Sequence, residues 1–351
     1  MTDQLVRDNI KRLKPYSSAR SEYKGQAAVF LDANESPFDT GYNRYPDPLQ
    51  QELKEAISAV KGVPPAQIFL GNGSDEAIDL LFRIFCEPGQ DYVITLPPTY
   101  GMYQVSADIA GVGVREAPLR PGIFQPDPAA VLAQASPQSK LLFICSPNNP
   151  TGNSIRMEIM RELLGAFPGI VVVDEAYIDF SSQESALSLL GAFPNLVVLQ
   201  TFSKAWGLAG IRLGMAFASE AIIAYFNKVK PPYNINQLTQ EEALKALKGR
   251  EAQEATVQQL LGQRALLQQY LGGLPFVQRI YPSDANFLLV KVDSPRAVYD
   301  YLAKGGIIVR DRSKVVLCEG CLRVTVGTPA ENERLFRSLV SFEEENTNLA
   351  S

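Results

Sequence analysis

The sequence predicts an α/β protein, a large domain on a mainly parallel sheet followed by a smaller α+β domain. Two observations carry this reading. From about residue 45 to 235, apolar strand-like runs alternate with stretches of helical periodicity. Beyond Asn236 the pattern changes to one long polar helical stretch and then to short strands and helices. The chain divides accordingly into an arm over 1–44, a large domain over 45–235 and a smaller domain over 236–351.

The arm is rich in polar, aromatic and turn residues through Asp39, as expected of a segment that packs on another domain or subunit. The strands expected next are QIFL before Gly71, DYVITL before Pro97, KLLFICS before Pro147, then GIVVVDE, LVVLQTF and GMAFAS. Between the first two, SDEAIDLLFRIFC repeats its apolar residues at helical spacing behind a Ser and an Asp that can cap the first turn. The polar stretch NQLTQEEALKALKGREAQEATVQQLLGQRALLQQYLGG reads as a long helix closed by a glycine pair. FVQRIY, NFLLVKV, GIIVR and CLRVTVG then alternate with the helical SPRAVYDYLAKG and ENERLFRSLVSF, and the tail FEEENTNLAS reads as frayed.

A length of 351 residues suffices to bury a substantial core, and 20% charged residues against 46% hydrophobic ones is ordinary for a globular chain. The net charge of −5, with signs interspersed, gives no basic stripe for a nucleic acid and no polybasic anchor for a membrane. No stretch reaches the length of a membrane-spanning helix, and the start MTDQLVRDNIKRLKPY lacks the apolar core of a secretory signal, so a cytoplasmic protein is expected. The four cysteines, Cys86, Cys145, Cys318 and Cys321, fit reduced thiols there. Cys318 and Cys321 form a CxxC, but a zinc site needs further ligands and the chain has no histidine, so no metal is expected. The same absence excludes Ser-His-Asp and Cys-His catalysis.

In an open α/β sheet, ligands gather outside the carboxyl ends of the strands, and the polar motifs here lie at those ends. In TFSKAWGLAGIRLG, Lys204 follows an apolar run among small and hydroxyl residues, with Arg212 eight positions on. An amine so placed beside a fixed cation loses its proton more readily and becomes a nucleophile toward an aldehyde, which makes Lys204 a Schiff-base candidate. GNGSDE between a strand and a helix offers backbone amides and Ser74 to an anion; alone it fits a capped tight turn better, but Ser203 and Arg212 add two further anion contacts. Tyr100 in PPTYGMY can fill core or stack on a planar ring, and Asn149 in SPNNPTG sits in an Asn-Pro turn. Asp174, with Tyr177 behind it, ends the buried run GIVVV and requires a partner, of which a protonated heterocyclic nitrogen is one.

The motifs GNGSDE, PPTYGMY, SPNNPTG, VVVDEAY, SKAWGLAGIRLG and CLRVTVG, in this order and spacing, resemble the pyridoxal-phosphate-dependent aminotransferases of fold type I. LDANESP, NRYPDP and IIVRD narrow the resemblance to the branch of that family acting on histidinol phosphate; it runs from KPYSSAR to RLFRSLV, essentially the whole chain. By resemblance, Lys204 carries pyridoxal 5'-phosphate and shuttles the substrate proton, and Asp174 pairs with the pyridine nitrogen. Tyr177 and Asn149 bond the ring hydroxyl, Tyr100 stacks on the ring, and Ser74, Asp75, Ser203 and Arg212 surround the phosphate. The resemblance also implies a homodimer in which Tyr45 reaches the partner's cofactor. Arg323 and Arg310, with Tyr16 nearby, would receive the carboxylate of glutamate and the phosphate of histidinol phosphate in turn. For Arg310 the alternative is a surface ion pair with Asp311. The implied reaction takes histidinol phosphate and 2-oxoglutarate to imidazole-acetol phosphate and glutamate. An aminotransferase of aromatic amino acids and a threonine-phosphate decarboxylase on the same scaffold are the alternatives. Ser36 in LDANESP departs from the second asparagine common in relatives, which bears on fine specificity.

Overall fold

The strand Ile170–Asp174 runs through the middle of a seven-stranded sheet. The computed structural model describes residues 2–16 and 29–350. Among these, the first sheet comprises β1 (Ile68–Asn72), β2 (Tyr92–Thr95), β3 (Gly113–Glu116), β4 (Ser139–Cys145), β5 (Ile170–Asp174), β6 (Leu196–Thr201) and β7 (Leu213–Ala218). Their spatial order is β1-β7-β6-β5-β4-β2-β3. Pairs from β3 through β6 are parallel, whereas β7 is antiparallel to both β6 and β1. The reversal has a local cause: residues 202–212 turn directly from β6 into β7 without a crossover helix, and a short connection joins only antiparallel strands. β3 was not anticipated, because its residues at the sheet edge, three half-buried and Glu116 exposed, form no apolar run.

Burial on both faces explains why the central strands read as unbroken apolar runs. Val171 and Val173 of β5 join one core with Leu142, Ile144 and Val198, and the alternate residues Ile170 and Val172 join a second with Phe143, Val197 and Leu199. Helix Gly73–Phe85 covers the second face, with Phe82 stacked on Phe143 at 5.8 Å.

The second sheet is antiparallel, in the order β10-β11-β9-β8: β8 (Val277–Ile280), β9 (Phe287–Val292), β10 (Arg310–Asp311) and β11 (Cys321–Thr325). Leu288, Val290, Leu322 and Val324 pack against helices Arg250–Gly272, Pro295–Lys304 and Pro329–Ala350. The opposite face carries Leu289 and Cys321 into the core of the first sheet, and by strand alternation Arg323 shares that face.

Three expectations are corrected in detail. The single long helix is two, Gln237–Lys248 and Arg250–Gly272, broken at Gly249, and Ala243 and Leu247 of the first belong to the core of the first sheet. The strand GIIVR shrinks to Arg310–Asp311, since Gly306 turns with φ +75° and Ile308 is 74% exposed. The tail is not frayed: the last helix continues to Ala350, held where Phe342 packs edge-on to Phe276 and Tyr301 and where the Tyr301 hydroxyl donates to Glu345 at 3.0 Å. In the arm, Val6 and Ile10 bury in the core around helix Gly73–Phe85, and Arg7 pairs with Glu87 at 2.9 Å. Residues 17–20 of KPYSSAR and the rest of 17–28 lie outside the described residues. No helix among the described residues is long and apolar enough to cross a membrane.

Candidate active site

The carboxyl ends of β1, β4, β5 and β6 open onto one cleft, lined by Gly73, Ser74 and Asp75, by Tyr100, Cys145 and Asn149, by Asp174, Ala176 and Tyr177, and by Thr201, Ser203, Lys204 and Arg212.

One end of the cleft is a cup built on glycine. Gly73 opens its helix at φ +71°, a conformation that costs other residues energy, and its N–H donates to the carbonyl of Arg212 at 2.8 Å. Gly214 lies so near that a Cβ there would fall 2.1 Å from the amide nitrogen of Ser74. The close approach aims the unpaired amides of the helix start, and the positive end of its dipole, into the cleft. The helix is capped from elsewhere, since Glu76 reaches back to the N–H of Asn72, so Ser74 and Asp75 are not used as caps. Arg212 adopts φ +55°, rare for a residue with a side chain, and its guanidinium lies 3.6 Å from Asp75, whose other oxygen accepts from the Tyr100 hydroxyl at 3.2 Å. The N–H of Ser203 donates to Thr201 Oγ1 at 3.0 Å, which fixes the turn leading to Lys204.

Asp174 closes the other end. It is 3% exposed, and burial pushes its carboxyl above the usual range; the Tyr103 hydroxyl at 2.8 Å and the Ala176 N–H at 3.1 Å oppose that rise. Tyr103 is sealed in the core, stacked on Phe143 at 4.5 Å and edge-on to Tyr100 at 5.6 Å. Cys145 lies in the same wall, where burial raises its thiol far beyond the reactive range.

Lys204 sits between these ends with Nζ 5.7 Å from the centre of the Tyr177 ring. It is open to the solvent of the cleft rather than sealed. Its amine is nevertheless held below the usual lysine range, first by desolvation and next by the charge of Arg323; Asp174 pulls the other way, and Arg212 adds a smaller push downward. The neighbour expected to do this was Arg212, but Arg323 comes from β11, more than a hundred residues on, and only the packing of the two sheets brings it near. Arg323 Nη1 donates to Asn149 Oδ1 at 2.5 Å, and the guanidinium lies 5.2 Å above the Phe287 ring. Arg310 stands directly opposite Arg323 in the β10–β11 ladder and is exposed. The surface ion pair with Asp311 does not form among the described residues; that carboxylate instead accepts from the N–H and hydroxyl of Ser313.

Nine of the residues singled out by sequence thus line one cleft, and Arg323 joins them through Asn149. Three do not. Arg310 is exposed opposite Arg323, Tyr16 is 71% exposed, and Tyr45 stacks on Tyr233 at 4.5 Å in a separate groove beside Ala33 and Leu238. Sequence reasoning passed over Tyr103, although its place three residues after Tyr100 sets both on one side of a helix start, and it passed over Thr201, Gly214 and Arg312. All four cysteines are buried and unbridged, and among the described residues no cluster of acidic or thiol groups can hold a metal.

Comparisons with known proteins show the family. A sequence model described as aminotransferase class I and II matches residues 22–339. The chain is 54% identical over 344 residues to a protein of Cytophaga hutchinsonii named histidinol-phosphate aminotransferase, covering 97% of this chain and 99% of that protein. It is 55% identical over 335 residues to one of the same name from Parabacteroides distasonis, covering 95% of this chain and 97% of that one. The crystal structure of histidinol-phosphate aminotransferase from Sinorhizobium meliloti in complex with pyridoxal-5'-phosphate superposes with a TM-score of 0.77 at 24% identity, over 85% of this chain and 83% of that one, which is a likeness of fold.

Proposed function

The chain belongs to the class I and II aminotransferases, and on that premise we propose that it moves the amino group of histidinol phosphate to 2-oxoglutarate, forming imidazole-acetol phosphate and glutamate as a step of histidine synthesis. The observation that carries this reading is the convergence of Lys204, Asp174 and Arg323 on one cleft in a chain more than half identical to proteins of that name.

The cleft fits pyridoxal 5'-phosphate. A phosphate suits the amide cup of Ser74 and Asp75 flanked by Ser203 and Arg212, where the approach of Gly73 and Gly214 leaves no room for a Cβ. A positively charged ring nitrogen suits the buried Asp174, whose charge is otherwise costly. Tyr100, Tyr177 and Asn149 line the same cleft, where Tyr100 would cover a ring face and Tyr177 and Asn149 would bond its hydroxyl. When bound, the cofactor supplies an electrophilic carbonyl and an electron sink.

The chain's own residues do the rest. Lys204 would hold the cofactor through Nζ, and its lowered basicity would suit the amine to take the proton from the amine-bearing carbon of the donor. Asp174, oriented by Tyr103 and Ala176, would pair with the cofactor's ring nitrogen. Arg323 grips the substrate anion, and its bond to Asn149 ties that grip to the wall of the cofactor site. Arg310 widens the grip to a phosphate, with Tyr16 of the arm reaching the same end. The enzyme works as a cytoplasmic homodimer in which Tyr45, presented outside its own cleft, completes the partner's phosphate cup; residues 45–235 carry the cofactor and residues 236–351 close the substrate end.

Steady-state assays of the holoenzyme with histidinol phosphate, phenylalanine and threonine phosphate as alternative reactants test the assignment. The largest kcat/KM belongs to histidinol phosphate; a larger value for phenylalanine, or release of carbon dioxide from threonine phosphate, contradicts it.

A further inference from the structure

We infer that Arg312 is a third specificity-determining cation at the substrate end of the cleft, adding to Arg310 and Arg323 the charge by which a phosphate monoester is preferred to a carboxylate. The inference rests on the substrate reading above and extends it to a residue that reading does not use.

The ladder places the residue. Arg310 pairs with Arg323, and two positions on, the N–H of Arg312 donates to the carbonyl of Cys321 at 2.9 Å. Residues two apart on a strand share a face, so Arg310 and Arg312 flank Arg323 on the side turned toward the first sheet. Asp311 points away between them, engaged with Ser313. Arg312 is half-buried, and its Nε is shut off from solvent with no acceptor, as is the Nε of Arg323. Among the described residues no carboxylate lies within ion-pair distance of any of the three guanidinium groups. The charge of Arg312 is felt at Tyr177, which lines the cleft beside Lys204, and burial together with the charges of Arg323 and Arg310 lowers its own proton affinity.

Two half-buried cations, with the exposed Arg310 beside them and no counter-charge among the described residues, raise the energy of the empty site, and an anion relieves that energy in proportion to its charge. A phosphate monoester, with a second pKa of about 6, is mostly dianionic at pH 7 and offers three acceptor oxygens. A carboxylate offers one charge and two oxygens. A pair of arginines serves either, whereas the third favours the dianion.

The test compares single-turnover kcat/KM of the holoenzyme for histidinol phosphate, unphosphorylated histidinol and glutamate. Arg312→Gln lowers the preference for histidinol phosphate over histidinol by on the order of 10-fold or more, and the ratio of histidinol phosphate to glutamate falls with it. Arg312→Lys restores most of both ratios. Arg312→Met, which keeps the packing stem, is the second variant should the Gln protein not fold, and carries the same expectation. A preference that is intact in the unsubstituted enzyme and unchanged in Arg312→Gln or Arg312→Met overturns the role of Arg312 alone, as does an equal loss on all three substrates. If the unsubstituted enzyme itself does not favour the phosphate ester, the substrate reading fails first.

Discussion

The hydroxyl of Tyr103 donates to Oδ2 of Asp174 at 2.8 Å from within the core, so the carboxylate that faces the cofactor cleft is aimed by a side chain that never touches the cleft. Tyr103 is a positioning residue. Tyr103→Phe keeps the packing on Phe143 and removes one stabilising bond to a buried charge, which costs about 1–3 kcal/mol. The bond lowers the Asp174 pKa, so its loss raises it. The acid limb of the kcat profile therefore moves to higher pH, and an unmoved limb would show that Tyr103 only fills space.

Lys204→Ala leaves the cup and Asp174 in place, so the variant still binds the cofactor but without a covalent link. Turnover falls by several orders of magnitude, on the order of 10³-fold or more, since both nucleophile and base are gone. Borohydride reduction of the unsubstituted protein followed by peptide mapping labels Lys204; a label on any other lysine refutes the assignment.

The cup makes a steric prediction. Gly214→Ala would put a methyl group 2.1 Å from the Ser74 nitrogen and 2.2 Å from the Gly73 carbonyl carbon, both backbone atoms that cannot step aside. Strand and helix must separate, and cofactor affinity falls by at least about 10-fold with a loss of more than about 1 kcal/mol in stability. Equilibrium dialysis and thermal unfolding measure both; Gly210→Ala, at an open position, is the control and leaves both unchanged.

How far the cleft could be read in advance follows from where each residue sits. Lys204, Asp174, Asn149 and the GNGSDE turn lie at the ends of buried apolar runs, and a parallel sheet necessarily brings those ends together. Arg323 was legible as a residue but not as the main charge acting on Lys204, because that depends on how the second sheet packs on the first. Tyr103 and Arg312 were hidden for a different reason: an apolar-looking aromatic in a helix and an arginine beside an aspartate both have commoner meanings. The tail shows the opposite error, since EEENTNLA is mostly polar and only the packing of Phe342 and the bond to Glu345 show why the helix persists.

A buried lysine pair away from the cleft gives a prediction about stability. Lys54, 3% exposed, is lowered to about 8 by burial and by the charge of Lys230, against about 10.5 when unfolded. Below about pH 8 both states carry the proton and the full cost of the buried charge is present; as pH rises toward 10.5 the unfolded chain binds more protons than the folded one, and that cost fades. Lys54→Met therefore stabilises the protein by roughly 1–2 kcal/mol at pH 7, and the gain shrinks between about pH 8 and 10.5. Urea unfolding across this range decides; a gain that grows with pH would have the wrong sign.

The most direct test of the account is a pair of half-reactions on one sample. Holoenzyme mixed with histidinol phosphate and no keto acid should release one equivalent of imidazole-acetol phosphate per Lys204 and then stop, and 2-oxoglutarate added to the separated protein should release one equivalent of glutamate. Product without the keto acid beyond one equivalent, or no glutamate in the second step, contradicts the transfer of an amino group through this cleft.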